Sequence, residues 1–125
     1  MIVSLIVAIS DNGAVGNDGS LPWHDPEDLQ WFKDCTMGKT LVCGHRTYQT
    51  LPNLPGRAVI NQGRQTPEEI IADWTGVEEL VVIGGRETYL QWRQHVDRFL
   101  ISRIHGEYEA DVFLKEFQLW ENPNE

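Results

Sequence analysis

The feature that most restricts the fold is the run Ile2-Val-Ser-Leu-Ile-Val-Ala-Ile9. Apolar residues fill it without the alternation of a half-buried strand. A strand of that kind is covered on both faces, as in a parallel sheet flanked by helices. The rest of the chain agrees. Residues 40–43 read as a second short strand, closed by Gly44 and followed by a short helix over 45–51. After a Pro-rich turn at 52–56, residues 57–61 form a third strand. Thr66-Pro67-Glu68-Glu69 is a helix start, with Thr at the N-cap, Pro at the first position and Glu at the third. Ile70, Ile71 and Trp74 are its expected buried side, and Gly76 its stop. Residues 80–83 form a fourth strand ended by Gly84-Gly85. Residues 86 to about 95 follow as a helix, with Tyr89, Leu90 and Trp92 as packing residues, and 99–104 form a fifth strand. This alternation predicts one α/β domain over residues 1–125, a mostly parallel twisted sheet of about five strands with helices on both faces.

Right-handed crossovers put the strand C-termini on one edge, where open α/β sheets bind ligands. The connections after Ile9, Cys43 and Ile83 leave that edge, and all are long or Gly-bearing. The first, residues 10–25, carries turn chemistry at Asp11-Asn12-Gly13 and again at 16–19. Loops of that length in compact domains are usually functional. It leads into a helix over about 26–35, with Asp25 as N-cap, Pro26 at the first position, and Glu27 and Asp28 in the first turn. Asp28 shares a helical stripe with Trp31, Phe32 and Cys35, and Leu29 adjoins it. That carboxylate is either a helix-end charge that reaches water or a group held in an apolar pocket.

A formal net charge of −9 argues against nucleic acid or an anionic membrane surface as the main partner. No apolar run approaches the roughly 20 residues of a membrane span, and the N-terminus lacks the basic region of a signal peptide. Cys35 and Cys43 form no metal or disulfide spacing and are expected to be reduced thiols of a cytoplasmic protein. His24, His45, His95 and His105 show no ligand spacing, so no metal site is expected. Asp97, Glu107, Glu109 and Asp111 read most simply as a solvated acidic face.

Three further constellations could carry chemistry. Gly44-His45-Arg46-Thr47 joins a strand to a helix, and backbone N–H groups, a hydroxyl and a guanidinium there could cradle phosphate. Ile83-Gly84-Gly85 is a second strand–glycine–helix turn, and two such turns on one edge suit a pyrophosphate. Leu54-Pro55-Gly56-Arg57 sets an arginine after a rigid turn, either a carboxylate clamp or a solvated side chain.

In this order, the pieces resemble the dihydrofolate reductase family. The matching segments are Ser4-Leu-Ile-Val-Ala8, Gly19-x-Leu-Pro-Trp23, Pro26-x-Asp28-Leu29-x-x-Phe32-Lys33, Gly44-x-Arg46-Thr47-Tyr48, Leu54-Pro-Gly-Arg57, Val82-Ile-Gly-Gly85 with Tyr89, and Ala110-Asp-Val-Phe113. The resemblance implies reduction of 7,8-dihydrofolate by hydride transfer from NADPH. Asp28 would hold the pterin and promote its protonation. Ile6, Val7, Ala8, Leu29, Phe32, Leu51 and Leu54 would line the substrate pocket. Arg57 would grip the glutamate tail, and Ser102 would support the carboxylate. Ala8, Val15, Leu21, Ile83 and Tyr89 would surround the nicotinamide. Gly44, His45, Arg46, Thr47, Arg64, Gly84 and Gly85 would hold the rest of the cofactor, with a cis peptide between the two glycines. Loop 10–25 would close over the nicotinamide.

The chain also departs from the family pattern. Only residues 115–125 stand where the family continues with a long antiparallel hairpin, and 62–65 is too short for its extra edge strand. The expected sheet order is fifth, first, fourth, second, third, with the fifth strand at an edge. Such an edge is normally covered or paired, so a homodimer through it, or a C-terminal tail over it, is expected. His45 stands where the family usually has Arg, and Glu87 where it has a second basic residue; Arg46 and Arg64 could compensate, so NADPH is the expected cofactor, with NADH kept beside it. Two alternatives remain open at this point: a related pterin or pyrimidine reductase, and a non-catalytic folate-binding or assembly module.

Overall fold

The computed structural model of the chain describes residues 1–16 and 21–114. The elements are β1 (Ile2–Ser10), β2 (Ala14–Gly16), α1 (Pro26–Thr36), β3 (Thr40–Cys43), α2 (His45–Thr50), β4 (Ala58–Asn61), α3 (Pro67–Asp73), β5 (Glu79–Val82), α4 (Arg86–Trp92), a 3-10 turn at Arg93–His95, β6 (Arg98–Ile104) and β7 (Val112–Phe113). The main sheet runs β4-β3-β5-β1-β6, every pair parallel. This is the order expected from the sequence.

The unbroken apolar run of β1 is explained by what covers it. Val3, Leu5, Val7 and Ile9 face a core shared with Val42, Leu80 and Val82, closed by Ile70 of α3 and by Tyr89 and Trp92 of α4. Ile6 faces the other way, onto Leu41 and Val81, with Trp31, Phe32 and Cys35 of α1 packed over them. Both faces are therefore buried, and side chains of either parity are apolar, save Ser4 and Ser10, whose hydroxyls are hydrogen-bonded. Trp92 is fully buried because its indole N–H donates to Gln62 Oε1 at 2.8 Å.

Helix ends follow local chemistry. Asp25 accepts the N–H groups of Glu27 and Asp28. Thr66 and Glu69 form the full capping box of α3. At the N-terminal edge of the sheet, buried Ser4 donates to Glu79, which also takes Arg98 at 2.7 Å and Lys39 at 3.1 Å. Burial alone would push the Glu79 carboxyl up. The hydrogen bonds from Ser4, Arg98 and Lys39 outweigh that and hold it below its ordinary value.

Four expectations need correction. Loop 10–25 is not all loop: Ala14–Gly16 forms β2, which pairs antiparallel with β7 across nearly the whole chain. Trp74 is not buried. It caps the C-terminus of α3 and is 39% exposed, because that helix ends after Asp73. The last helix stops at Trp92 and tightens into the 3-10 turn. Asp97 is no idle surface charge, since its Oδ2 accepts the Val3 N–H at 2.8 Å beside the sheet. Residues 115–125 lie outside the described residues, and with them the expectations of a missing hairpin and a covering tail. Among the described strands β6 pairs with β1 alone.

Candidate active site

The C-terminal ends of β1, β3 and β5 open into one cleft of about 1690 Å³. A pocket for one small ligand spans roughly 300–1,000 Å³, so there is room here for two molecules in contact.

One part of the wall is apolar. Ile6, Val7 and Ala8 come from β1, Leu29, Trp31 and Phe32 from α1, and Leu51 and Leu54 from the turn after α2. Asp28 stands among them. It is 7% exposed, and Oδ1 is buried with no hydrogen-bond partner. Asp25 has taken the N-cap role, so Asp28 is not needed there. Its neighbours on the stripe, Trp31, Phe32 and Cys35, are only half-buried and Leu29 is exposed. The acid is thus more buried than the hydrophobes of its own helix face, because they look into an open cleft. A buried polar atom without a partner costs free energy, more so when charged. The dipole at the start of α1 offsets only part of that. A second orphan lies close in sequence: Trp23 Nε1 is buried and unpartnered, with its ring edge-on to Tyr108 at 5.5 Å.

The other part of the wall is built for an anion. The Gly44 N–H donates to Gly84 O at 2.9 Å, which holds the two strand-to-helix turns together. The Gly84–Gly85 peptide is cis. A Cβ on Gly44 would lie 2.5 Å from Thr88 Oγ1, and one on Gly85 3.2 Å from Thr47 Oγ1. Only glycine lets the turns pack this closely. Neither α2 nor α4 has a side-chain cap on its first turn, so backbone N–H groups are left for a ligand or water. Arg46 and Thr47 line the same wall. N–H groups, a hydroxyl and a guanidinium around two glycine turns form a donor set that fits a pyrophosphate. Val15, Leu21, Ile83 and Tyr89 line the cleft as well. Tyr89 donates its hydroxyl to Ile6 O at 2.9 Å, and burial pushes its pKa far up, so it stays a neutral donor.

Three residues singled out in the sequence are not on this wall. Arg57 donates from Nε to Pro55 O at 3.2 Å and from Nη1 to Thr36 Oγ1 at 3.3 Å, at the far end of α1. Ser102 pairs with Ala8 across β1 and β6 and is half-buried. Arg64 is exposed, next to Gly63, which does line the cleft. Trp31, Gln62, Gly63, Val112 and Phe113 are among the lining residues that the sequence reading missed, and it put Asp111 on a solvated face. Gln62 and Gly63 could have been found by treating the end of β4 like the other strand ends. Val112 and Phe113 could not, because the β2–β7 pairing is invisible locally. Among the described residues no group of His, Cys, Asp or Glu could hold a metal ion.

The comparisons with known proteins agree with this geometry. A family model described as dihydrofolate reductase matches residues 2–125. The dihydrofolate reductase of Haemophilus influenzae is 32% identical over 97% of this chain and 82% of its own length. That of Bacillus subtilis is 33% identical over 93% of this chain and 77% of its own. The structure of dihydrofolate reductase from Enterococcus faecalis complexed with NADP(H) and RAB-propyl superposes with a TM-score of 0.81 at 30% identity, covering 90% of this chain and 76% of that one.

Proposed function

The chain belongs to the dihydrofolate reductase family, and we propose that its cleft reduces 7,8-dihydrofolate to 5,6,7,8-tetrahydrofolate with NADPH, using Asp28 as the group that orients and activates the pterin. The observation that carries this reading is the unpartnered Asp28 oxygen in an apolar wall. A buried carboxylate asks for a ligand that presents paired N–H donors, and a 2-aminopterin does so with its amino group and ring nitrogen.

Bound NADPH supplies the hydride, which adds to one carbon of the pterin C=N bond while a proton adds to the nitrogen. Asp28 favours the protonated pterin by opposing the positive charge that builds up on it. Ile6, Leu29, Phe32 and Leu54 hold the flat ring and keep water off it, which strengthens that interaction. Ala8, Val15, Leu21, Ile83 and Tyr89 bound the space for the nicotinamide, so that the reacting rings are held in contact. Gly44, Arg46, Thr47, Gly84 and Gly85 take the phosphates. Arg57, tethered to Thr36, has donors left for the substrate's carboxylate, and Ser102, level with Ala8 on the neighbouring strand, is the hydroxyl assigned to support the site. The test is the loss of NADPH absorbance with dihydrofolate as substrate, with and without an antifolate. Oxidation that the antifolate leaves untouched, or none at all, would sink the reading.

We extend the proposal to setting and assembly. No helix among the described residues is long and apolar enough to cross a membrane. Both cysteines are free thiols. Burial pushes both up, Cys43 to about 11. A reducing cytoplasmic setting suits that. A homodimer that meets at the β6 margin of the sheet belongs to the same proposal. A single monomeric species in sedimentation velocity at all concentrations would remove it.

A further inference from the structure

Asn61 ends β4, the outer strand beside β3. Its side-chain oxygen accepts the Gly63 N–H at 3.1 Å. That bond decides which way round the amide lies. The amide nitrogen, a donor only, then faces His45 Nδ1 at 3.0 Å. Nδ1 must accept, so the ring hydrogen sits on Nε2. His45 and Gly63 both line the cleft, which leaves Nε2–H as the ring's donor toward a ligand.

The strand order says which ligand group arrives there. A dinucleotide with its nicotinamide against Ala8 of β1 and Ile83, and its pyrophosphate between the β3 and β5 turns, must continue past β3 toward the end of β4. Its adenosine ribose therefore comes to His45 and the turn after Asn61. Of the nearby cations, two are committed elsewhere, and Arg64, solvated beside Gly63, is the one that remains at this turn. Arg46 belongs to the phosphate cradle. Arg86 is engaged by Phe113 O at 3.0 Å and by Glu87 at 2.9 Å. Arg64 is exposed and off the wall. Glu87 adds a negative charge to the same cleft.

We propose that the Asn61–His45 pair sets a relaxed cofactor specificity, so that this chain uses NADH as well as NADPH. An imidazole N–H held in one tautomer bonds a ribose hydroxyl and a ribose phosphate alike. A guanidinium would favour the phosphate by a charge-assisted, two-pronged contact. His45 is the contacting residue and Asn61 positions it. The inference rests on the dihydrofolate reductase reading.

Two measurements test it on the intact chain without substrate. Long-range ¹H–¹⁵N correlation spectra of the cofactor-free protein should show His45 with its hydrogen on Nε2, and Asn61→Leu should mix the tautomers while the fold is kept. Tryptophan fluorescence quenching gives Kd for each cofactor. The wild-type preference for NADPH should be within about tenfold, and His45→Arg should widen it by about tenfold or more. An Nδ1–H ring in the wild type, a wild-type preference above about tenfold, or an unmoved preference in His45→Arg overturns the inference. Turnover with dihydrofolate is followed separately. Its absence with both cofactors would overturn the reductase reading, while the tautomer and the Kd ratio still report on Asn61 and His45.

Discussion

Replacing Asp28 by Asn should move stability and turnover in opposite directions. The residue is 7% exposed and one carboxylate oxygen has no partner. Leaving a buried polar group unsatisfied costs about 1–3 kcal/mol, more when it carries charge. The amide keeps the shape and loses the charge, so part of that cost is recovered. Against this, a negative charge in the first turn of a helix contributes about 0.3–1 kcal/mol, which the variant gives up. The net expectation is a gain of about 1 kcal/mol in the ligand-free protein, a rise of about 4 °C in Tm for a chain of this size. Turnover goes the other way. Removing a preorganised group that faces charge developing in the transition state costs about 2.7–4 kcal/mol, or roughly 10²–10³ in kcat near neutral pH. Thermal melts followed by circular dichroism give the first quantity, and NADPH absorbance with dihydrofolate gives the second. Wild-type turnover in the variant would refute the catalytic role. A lowered Tm would refute the claim that the carboxylate sits unpaired and under cost in the free protein.

Gly44→Ala places a Cβ 2.5 Å from Thr88 Oγ1. It should destabilise by about 1–3 kcal/mol, and adding Thr88→Ala should restore most of that loss in a double-mutant melt. Glu79 has a depressed pKa, so its contribution is full above the ordinary carboxyl value of 4.5 and is lost as pH falls through the lowered folded value. Glu79→Gln should therefore weaken the protein at neutral pH and flatten the acid limb of a Tm-against-pH curve below about 4.5; an unchanged limb would contradict the Ser4–Arg98–Lys39 assignment. Cys43 is buried and pushed up to about 11, so a maleimide at pH 8 should label Cys35 first, and Cys43 only on unfolding.

Much of this architecture is written in short stretches of chain. The unalternating run of β1 requires cover on both faces, and α1 on one side with α3 and α4 on the other provide it. Asp25, Pro26 and the Thr66–Glu69 box specify helix starts within a single turn of backbone. Gly44 and the Gly84–Gly85 pair mark the strand ends that become the anion wall. Such signals are local, so a single sequence carries them. Trp74 shows the limit: its spacing fits a buried stripe, yet α3 ends one residue too early to bury it.

The tertiary structure decided what depends on residues far apart in the chain. The β2–β7 pairing turns part of an apparent loop into a wall of the cleft, and Asn12 meets Tyr108 across 96 positions. It decided that Asp28 is more buried than the aromatic residues beside it, because burial depends on what the opposite wall brings and not on helix periodicity. It also decided which donors are free. Arg57 is tethered to Thr36, Arg86 to Phe113, and the hydrogen of His45 is set by an asparagine 16 residues away in sequence and one hydrogen bond away in space. The sequence alone determined the family, the layered sheet and the places where glycine and acid must stand. Distances between strand ends determined how those groups can meet a ligand, since hydrogen bonds and desolvation act over a few ångströms and take no account of separation along the chain.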